Sequence, residues 1–384
     1  MTTRVEVAPA MLAWARERSG KSDTIQSSFP KLPDWEAGTA LPTFRQLEEF
    51  AKATYTPLGY FFLSDPPDIP LPIPDMRTVG SLALTDPSPN LLDTIALCMD
   101  RQEWYRSYLL DQGAEPLPFV GSLEMTVSPR LAADRMRATL GFDVDARAEA
   151  KTWEDALRLL VRNAEASGIL VMVSGVVGAN THRPLDPSEF RGFALADPYA
   201  PVVFVNGADA KSAQNFTLVH ELVHIWLGGS ALTGGADQGD AVSGQGASVL
   251  EVWVNAVAAE LLVPAGSLME GFACGSELAS EARRLAREFK VSPEVILRRL
   301  RDTNLISWDA CAETLATLRE AEQHRSTSGG DFYRTTPVRV SRPFARAVIA
   351  STLEGRTLYR DAFRLLGFRS QKAFDGLSHE LGLA

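Results

Sequence analysis

The sequence predicts an α+β fold, mostly helical, with a small sheet of three or more strands. Three observations carry that expectation. Apolar residues recur at helical spacing along most of the chain. Three short runs, "ILVMVSG", "FRGFALAD" and "APVVFVNG", are instead β-branched or aromatic and bounded by Gly, Asp and Pro, which marks strands. The 384 residues, 45 % hydrophobic and 22 % charged, have globular composition and suffice for two or three domains with substantial cores.

From the N-terminus, "APAMLAWARERSG" reads as a helix stopped by Gly20. "SDTIQSSFPKLPDWEAGTALP" reads as a short helix followed by a Pro-interrupted turn. "PTFRQLEEFAKAT" opens with Thr43 and Gln46 in a capping-box arrangement, with Phe44, Leu47, Phe50 and Ala51 as its apolar face. This makes residues 1–63 a small helical module. Prolines 66, 67, 70, 72 and 74 then remove backbone donors, so residues 64–78 read as a stiff, extended linker.

A larger domain is expected over 79–324. It begins with two helices, "NLLDTIALCMDRQEWYRSYLLDQG" and "TWEDALRLLVRNAEASG". The three strands come next, the last running into a helix that contains "TLVHELVHIWL". A glycine-rich loop over 228–248 precedes the apolar helix "VLEVWVNAVAAELLVP". Residues near 278–308 look like helix, turn, helix. The segment 325–384 is helical and basic, with ten Lys/Arg against five acids.

The bulk properties exclude several classes. The chain has no apolar run of about eighteen residues, so no membrane span is expected. The early Glu6 and the missing apolar core argue against a secretion signal. Cys98, Cys274 and Cys311 form neither a disulfide framework nor a CxxC knuckle, which fits a reducing cytoplasm. A net charge of −10 excludes general coating of nucleic acid, though not a local basic patch.

The chemistry concentrates in "HELVH". Residues four apart on a helix differ by about 40° in direction, so His220 and His224 can each offer one ring nitrogen to a single metal ion. Glu221, about 100° around from His220, reaches a water at the open position rather than joining as a ligand. This is the zincin arrangement, two histidines holding Zn²⁺ with the glutamate as general base. The apolar flanks Leu218, Val219, Leu222, Val223, Ile225 and Leu227 bury the helix and shield the site.

A catalytic zinc with two histidines needs a third protein ligand. Glu251 is the stronger candidate, because a carboxylate inside "VLEVWV" needs a cationic partner. Asn255, four residues on, can orient a ligand from behind. Glu260 is the rival; nine residues further along, it lies about 180° around the helix, so both cannot face one ion. A salt bridge to an arginine is the bland role for either. His182 in "NTHRPLD" is a candidate for oxyanion support, with a solvated loop histidine as the default. "PVVFVNG" is read either as an edge strand that pairs with an extended peptide or as an ordinary strand.

Together these motifs resemble the ImmA/IrrE metallo-endopeptidases, in the form with an N-terminal Xre-type helix-turn-helix module. The resemblance rests on "WEAGTALPTFRQLEEFAKATYTPLGYFFL", "FRGFALAD", "VFVNGADAKSAQNFTLVHELVHIWLG", "EVWVNAVAAELLVP" and "LAREFKVSPEVILRRL" in that order. It implies a gluzincin-like zinc peptidase with His220, His224 and Glu251 as ligands and Glu221 as base. It also implies a protein substrate, an Xre-type transcriptional repressor, cleaved to release stress-response or mobile-element genes.

One stretch departs from the pattern. Where an Xre module carries a full recognition helix, this chain has only "FPKLPDWEAG", broken by Pro30 and Pro33. The residues up to Asp65 hold seven Lys/Arg against eight acids. A DNA reader needs a basic face and an inserted helix, so protein contact is the expected role. The arginine-rich "ARRLAREFKVSPEVILRRLR" is a second candidate surface, or simply a subdomain packed on the peptidase. The alternative to an enzyme is a DNA-binding regulator or antitoxin-like protein whose peptidase-like domain is a sensor. A module with a structural zinc is a third reading.

Overall fold

The computed structural model describes residues 3–74, 87–209, 211–234, 249–322 and 338–383. It is mostly helical with a small mixed four-stranded sheet, an α+β architecture. The chain divides into two compact units. The first holds Met1–Pro72 and runs through the start of the following helix to Ala96. The second holds Ile73, Pro74 and everything from Leu97 onward.

In the first unit, α1 (Pro9–Arg18), α2 (Ser22–Ser28), α3 (Leu32–Glu36) and α4 (Phe44–Ala53) close over Met11, Leu12, Trp35, Leu47, Phe50 and Phe61. The capping box forms: the Gln46 amide donates to Thr43 Oγ1 at 3.2 Å, and the Thr43 amide to Gln46 Oε1 at 2.9 Å. Phe44 departs from the expected apolar face and is 43 % exposed, being the first residue of α4. The Pro-interrupted turn is also more ordered than expected. Pro33 falls in the first turn of α3, where a missing N–H costs nothing, and Leu32 and Trp35 are buried beneath it.

The helix α5 (Pro89–Asp111) leads into the second unit, followed by α6 (Pro129–Leu140), α7 (Val144–Ala148) and α8 (Trp153–Ala166). Then come β1 (Leu170–Ser174), β2 (Phe190–Leu195), β3 (Val202–Asn206), α9 (Lys211–Leu227) and β4 (Ala231–Gly234). The order is β1-β3-β2-β4, with β1 and β3 parallel and the other pairs antiparallel.

Two expectations are corrected here. "PVVFVNG" is not an edge strand: β3 is paired on both sides and all five of its residues are buried, as apolar side chains on both faces require. The stretch 228–248 is not wholly loop, because residues 231–234 form β4 at the open side of β2. The remainder of that stretch, 235–248, lies outside the described residues. On its outer side β4 is touched by the proline-rich segment, the Leu232 amide donating to the Pro74 carbonyl at 3.0 Å.

The second half of this unit is α10 (Val249–Leu262), α11 (Ala265–Gly271), α12 (Leu278–Phe289), α13 (Pro293–Asp302) and α14 (Trp308–Glu322). It shares one hydrophobic core with α6, α8, α9 and the sheet. The helix-turn-helix-like pair is α12 and α13. Its second helix turns its arginines to internal partners: Arg298 to Glu294 at 2.7 Å, Arg299 to Glu260, and Arg301 to Asp302 at 2.7 Å and over the Trp308 ring. The C-terminal helices α15 (Arg342–Leu353), α16 (Tyr359–Leu366) and α17 (Gln371–Glu380) follow. Phe344 meets Trp104 edge-on, and Arg101 donates to the Leu365 carbonyl at 3.0 Å. Among the described residues no single helix is long and apolar enough to cross a membrane.

Candidate metal centre

Helix α9 is apolar nearly all round and is therefore a core helix. Leu218, Val219, Leu222, Val223, Ile225 and Trp226 are at most 1 % exposed. Both ends are fastened. Asn206, at the end of β3, accepts from the Ala208 amide at 3.0 Å and donates to the Phe190 carbonyl at 3.0 Å, setting the turn into α9. At the other end, the Gly121 and Leu123 amides take the carbonyls of Ile225 and Trp226, which a helix terminus leaves without helical partners. The directions of the side chains along α9 are thereby fixed.

Four buried polar side chains meet where α9 crosses α10. His220, Glu221, His224 and Glu251 are 1 %, 0 %, 2 % and 6 % exposed. His220 Nε2 is 3.2 Å from Glu251 Oε2, His224 Nε2 is 3.4 Å from Glu251 Oε1, and the two Nε2 atoms are 3.3 Å apart. Ligand atoms at about 2.0–2.1 Å from a tetrahedral ion stand about 3.3–3.4 Å from one another. The three side chains match that spacing, and an N, N, O donor set suits zinc and similar divalent ions. Behind the cluster, His220 Nδ1 lies 2.9 Å from Asn255 Oδ1. That bond places the ring proton on Nδ1 and turns the Nε2 lone pair toward the cluster.

Glu251 comes from the first turn of α10, where the helix dipole favours a negative charge. The helix is anchored by Trp253, whose indole N–H donates to the Val127 carbonyl at 2.9 Å. Among the protein charges alone, burial disfavours the Glu251 carboxylate, but His220 and His224 outweigh it and hold its pKa below the usual range. Burial likewise opposes a charge on His220, yet Glu251, Glu221 and Asn255 together raise its pKa to about 9. Burial lowers that of His224.

Glu221 stands apart from these three. Burial pushes its carboxyl up to about 8, against the nearby His220 and the Thr233 hydroxyl. Neither of its oxygens has a hydrogen-bond partner of regular geometry among the described residues. A buried carboxyl in that condition is costly unless something outside the protein completes it.

Two contributors to the site were not identified from the sequence. Thr233 reaches Glu221 from β4, within the stretch read as loop. Gly192 in β2 provides the space: a Cβ there would lie 2.8 Å from the Phe204 carbonyl and from Thr217 Cγ2, and 3.0 Å from Glu221 Oε1. The signal was present, since a glycine inside a strand pattern marks a close backbone approach.

Glu260 points away and is paired with Arg299, while the Ala265 amide approaches both its oxygens at 3.4 Å. His182 sits exposed in the turn after β1, its amide donating to Asn180 Oδ1 at 3.0 Å, and its ring is outside the cluster.

A fastened core helix that presents two imidazoles and a buried glutamate, with a carboxylate from the next helix, defines a metallopeptidase-like α+β domain. Residues 164–301, from the end of α8 through α13, match the IrrE N-terminal-like domain family (Peptidase_M78). Residues 340–380, which include α15–α17, match a domain of unknown function (DUF8813). A search of curated proteins finds no match to the chain.

Proposed function

We propose that the chain is a zinc-dependent endopeptidase acting on a protein substrate. The observation that carries this reading is the near-equal spacing of three side chains, with one Glu251 oxygen toward each histidine, beside the buried Glu221. His220, His224 and Glu251 would hold the ion, which supplies Lewis acidity toward a peptide carbonyl. Glu221 takes the proton of the attacking water and delivers it to the leaving amine, which breaks the C–N bond. Asn255 holds the His220 ring in its ligating orientation.

On the family resemblance, the substrate is a transcriptional repressor of the Xre type, and its cleavage releases stress-response or mobile-element genes. The helical module over 1–63 contacts protein in this reading rather than reading DNA bases.

The test is to incubate the purified chain with repressors encoded near its gene, with and without zinc, and to identify fragments by mass spectrometry. Glu221→Gln retains zinc but loses about 10²–10⁴-fold in cleavage rate. A rate equal to that of the wild type removes Glu221 as the base.

A further inference from the structure

We propose that the second unit carries a docking groove for an acidic, partly apolar segment of a partner protein. The groove, about 680 Å³, is lined by the start of α8, one side of α12, the turn before α13, and α14. Lys151, Arg283, Arg287 and Lys290 line it, against one carboxylate, Glu154. Its floor is apolar, with Ala286, Val291 and Leu318 buried beneath the cations.

The charges on α12 show why this is more than a solvated helix face. Arg284 is paired with Glu281 at 2.7 Å and Glu288 at 2.9 Å. Arg283 and Arg287, on the groove side, form no ion pair among the described residues, and neither do Lys151 and Lys290. The helix dipole favours Arg287 in the last turn of α12, but like charges four residues apart weaken a helix by about a few tenths of a kcal/mol, so setting Arg283 on the same face offsets part of that gain. Four cations against one acid give the groove a local charge of +3 in a chain whose net charge is −10. A concave surface of one sign over a low-dielectric floor focuses its field on a ligand of opposite sign.

The apolar floor selects the class of ligand. It accommodates aliphatic side chains, which a phosphate backbone lacks. The arginines of α13, which a base-reading helix would need free, are engaged internally. A peptide that alternates carboxylates with aliphatic residues satisfies both the rim and the floor. The groove is also fastened to the metal helix, since Asn215 of α9 donates to the Lys290 carbonyl at 3.2 Å. An occupant is therefore held in a fixed relation to α9. Binding here does not depend on whether the centre cleaves.

The test uses the full chain and fluorescence anisotropy with a short labelled peptide of alternating leucine and glutamate. Saturable binding is expected, weakening with added salt. It falls about tenfold or more in the double variant Arg283→Glu/Arg287→Glu and is unchanged in Arg284→Gln. Circular dichroism and chemical denaturation check that the exposed Arg283 and Arg287 and the half-buried Arg284 can each be replaced without loss of the fold. Three results each overturn the proposal: no binding, equal binding by the double variant, or tighter binding of a DNA duplex through the same two arginines.

Discussion

Asn255 Oδ1 lies 2.9 Å from His220 Nδ1, so one amide on α10 determines which nitrogen of a histidine on α9 faces the metal cluster. The same helix supplies Glu251, four residues earlier, to the other side of that ring. Ligand and orienting group thus move together.

Replacing Asn255 by Ala leaves all three ligands in place but frees the ring of His220. Metal affinity is expected to drop by about 10–100-fold, read by competition with a chromophoric chelator. An affinity equal to that of the wild type would show that the hydrogen bond has no orienting role.

Gly192→Ala tests how closely α9 approaches the sheet. The new methyl has no room between the Phe204 carbonyl and Thr217, and both are core atoms that cannot swing away. A loss of about 1–3 kcal/mol is expected in chemical denaturation, together with reduced activity from displacement of Glu221. Full stability in this variant would mean that the strand yields more readily than its packing implies.

Glu165 is the basis for a pH prediction. Its Oε1 accepts from the Ser341 hydroxyl at 2.6 Å and the Arg342 amide at 3.0 Å. Burial raises its pKa from 4.5 to about 6, although those two bonds oppose the shift. The folded chain therefore keeps a proton that the unfolded chain releases. This group's contribution to stability falls by up to about 2 kcal/mol as pH rises from about 4.5 through 6. Glu165→Gln keeps an acceptor but cannot ionise, so its stability relative to wild type should increase across that window and level off above it. A constant difference between the two proteins from about pH 4 to 7 would place the titration elsewhere.

The residues that could be read in advance are those whose role depends on local geometry. His220 and His224 are related by one helical turn, and Glu251 stands out as a carboxylate in an apolar run. Glu260 was distinguishable from Glu251 by its helical phase, but its partner Arg299 is 39 positions away and became visible only in three dimensions. The same limit explains β3: alternation and burial indicate a strand, but no periodicity says that β1 will pair beside it in parallel. β4 is four residues in a glycine-rich run, and β2 gives it a ladder that its own composition does not suggest. Helix α6 was missed for a different reason. Its start, Ser128 then Pro129, and its stop, Gly141 in the left-handed region, were readable cap signals that went unused.

The contact between Leu232 and Pro74 is asymmetric. A strand residue ordinarily gives and receives, exchanging two bonds with its opposite number. Pro74 can only receive, because its ring has replaced the amide hydrogen. The free side of the sheet is thus covered by a neighbour that withholds half of the usual exchange. At this border β4 therefore meets an acceptor that brings no donor of its own.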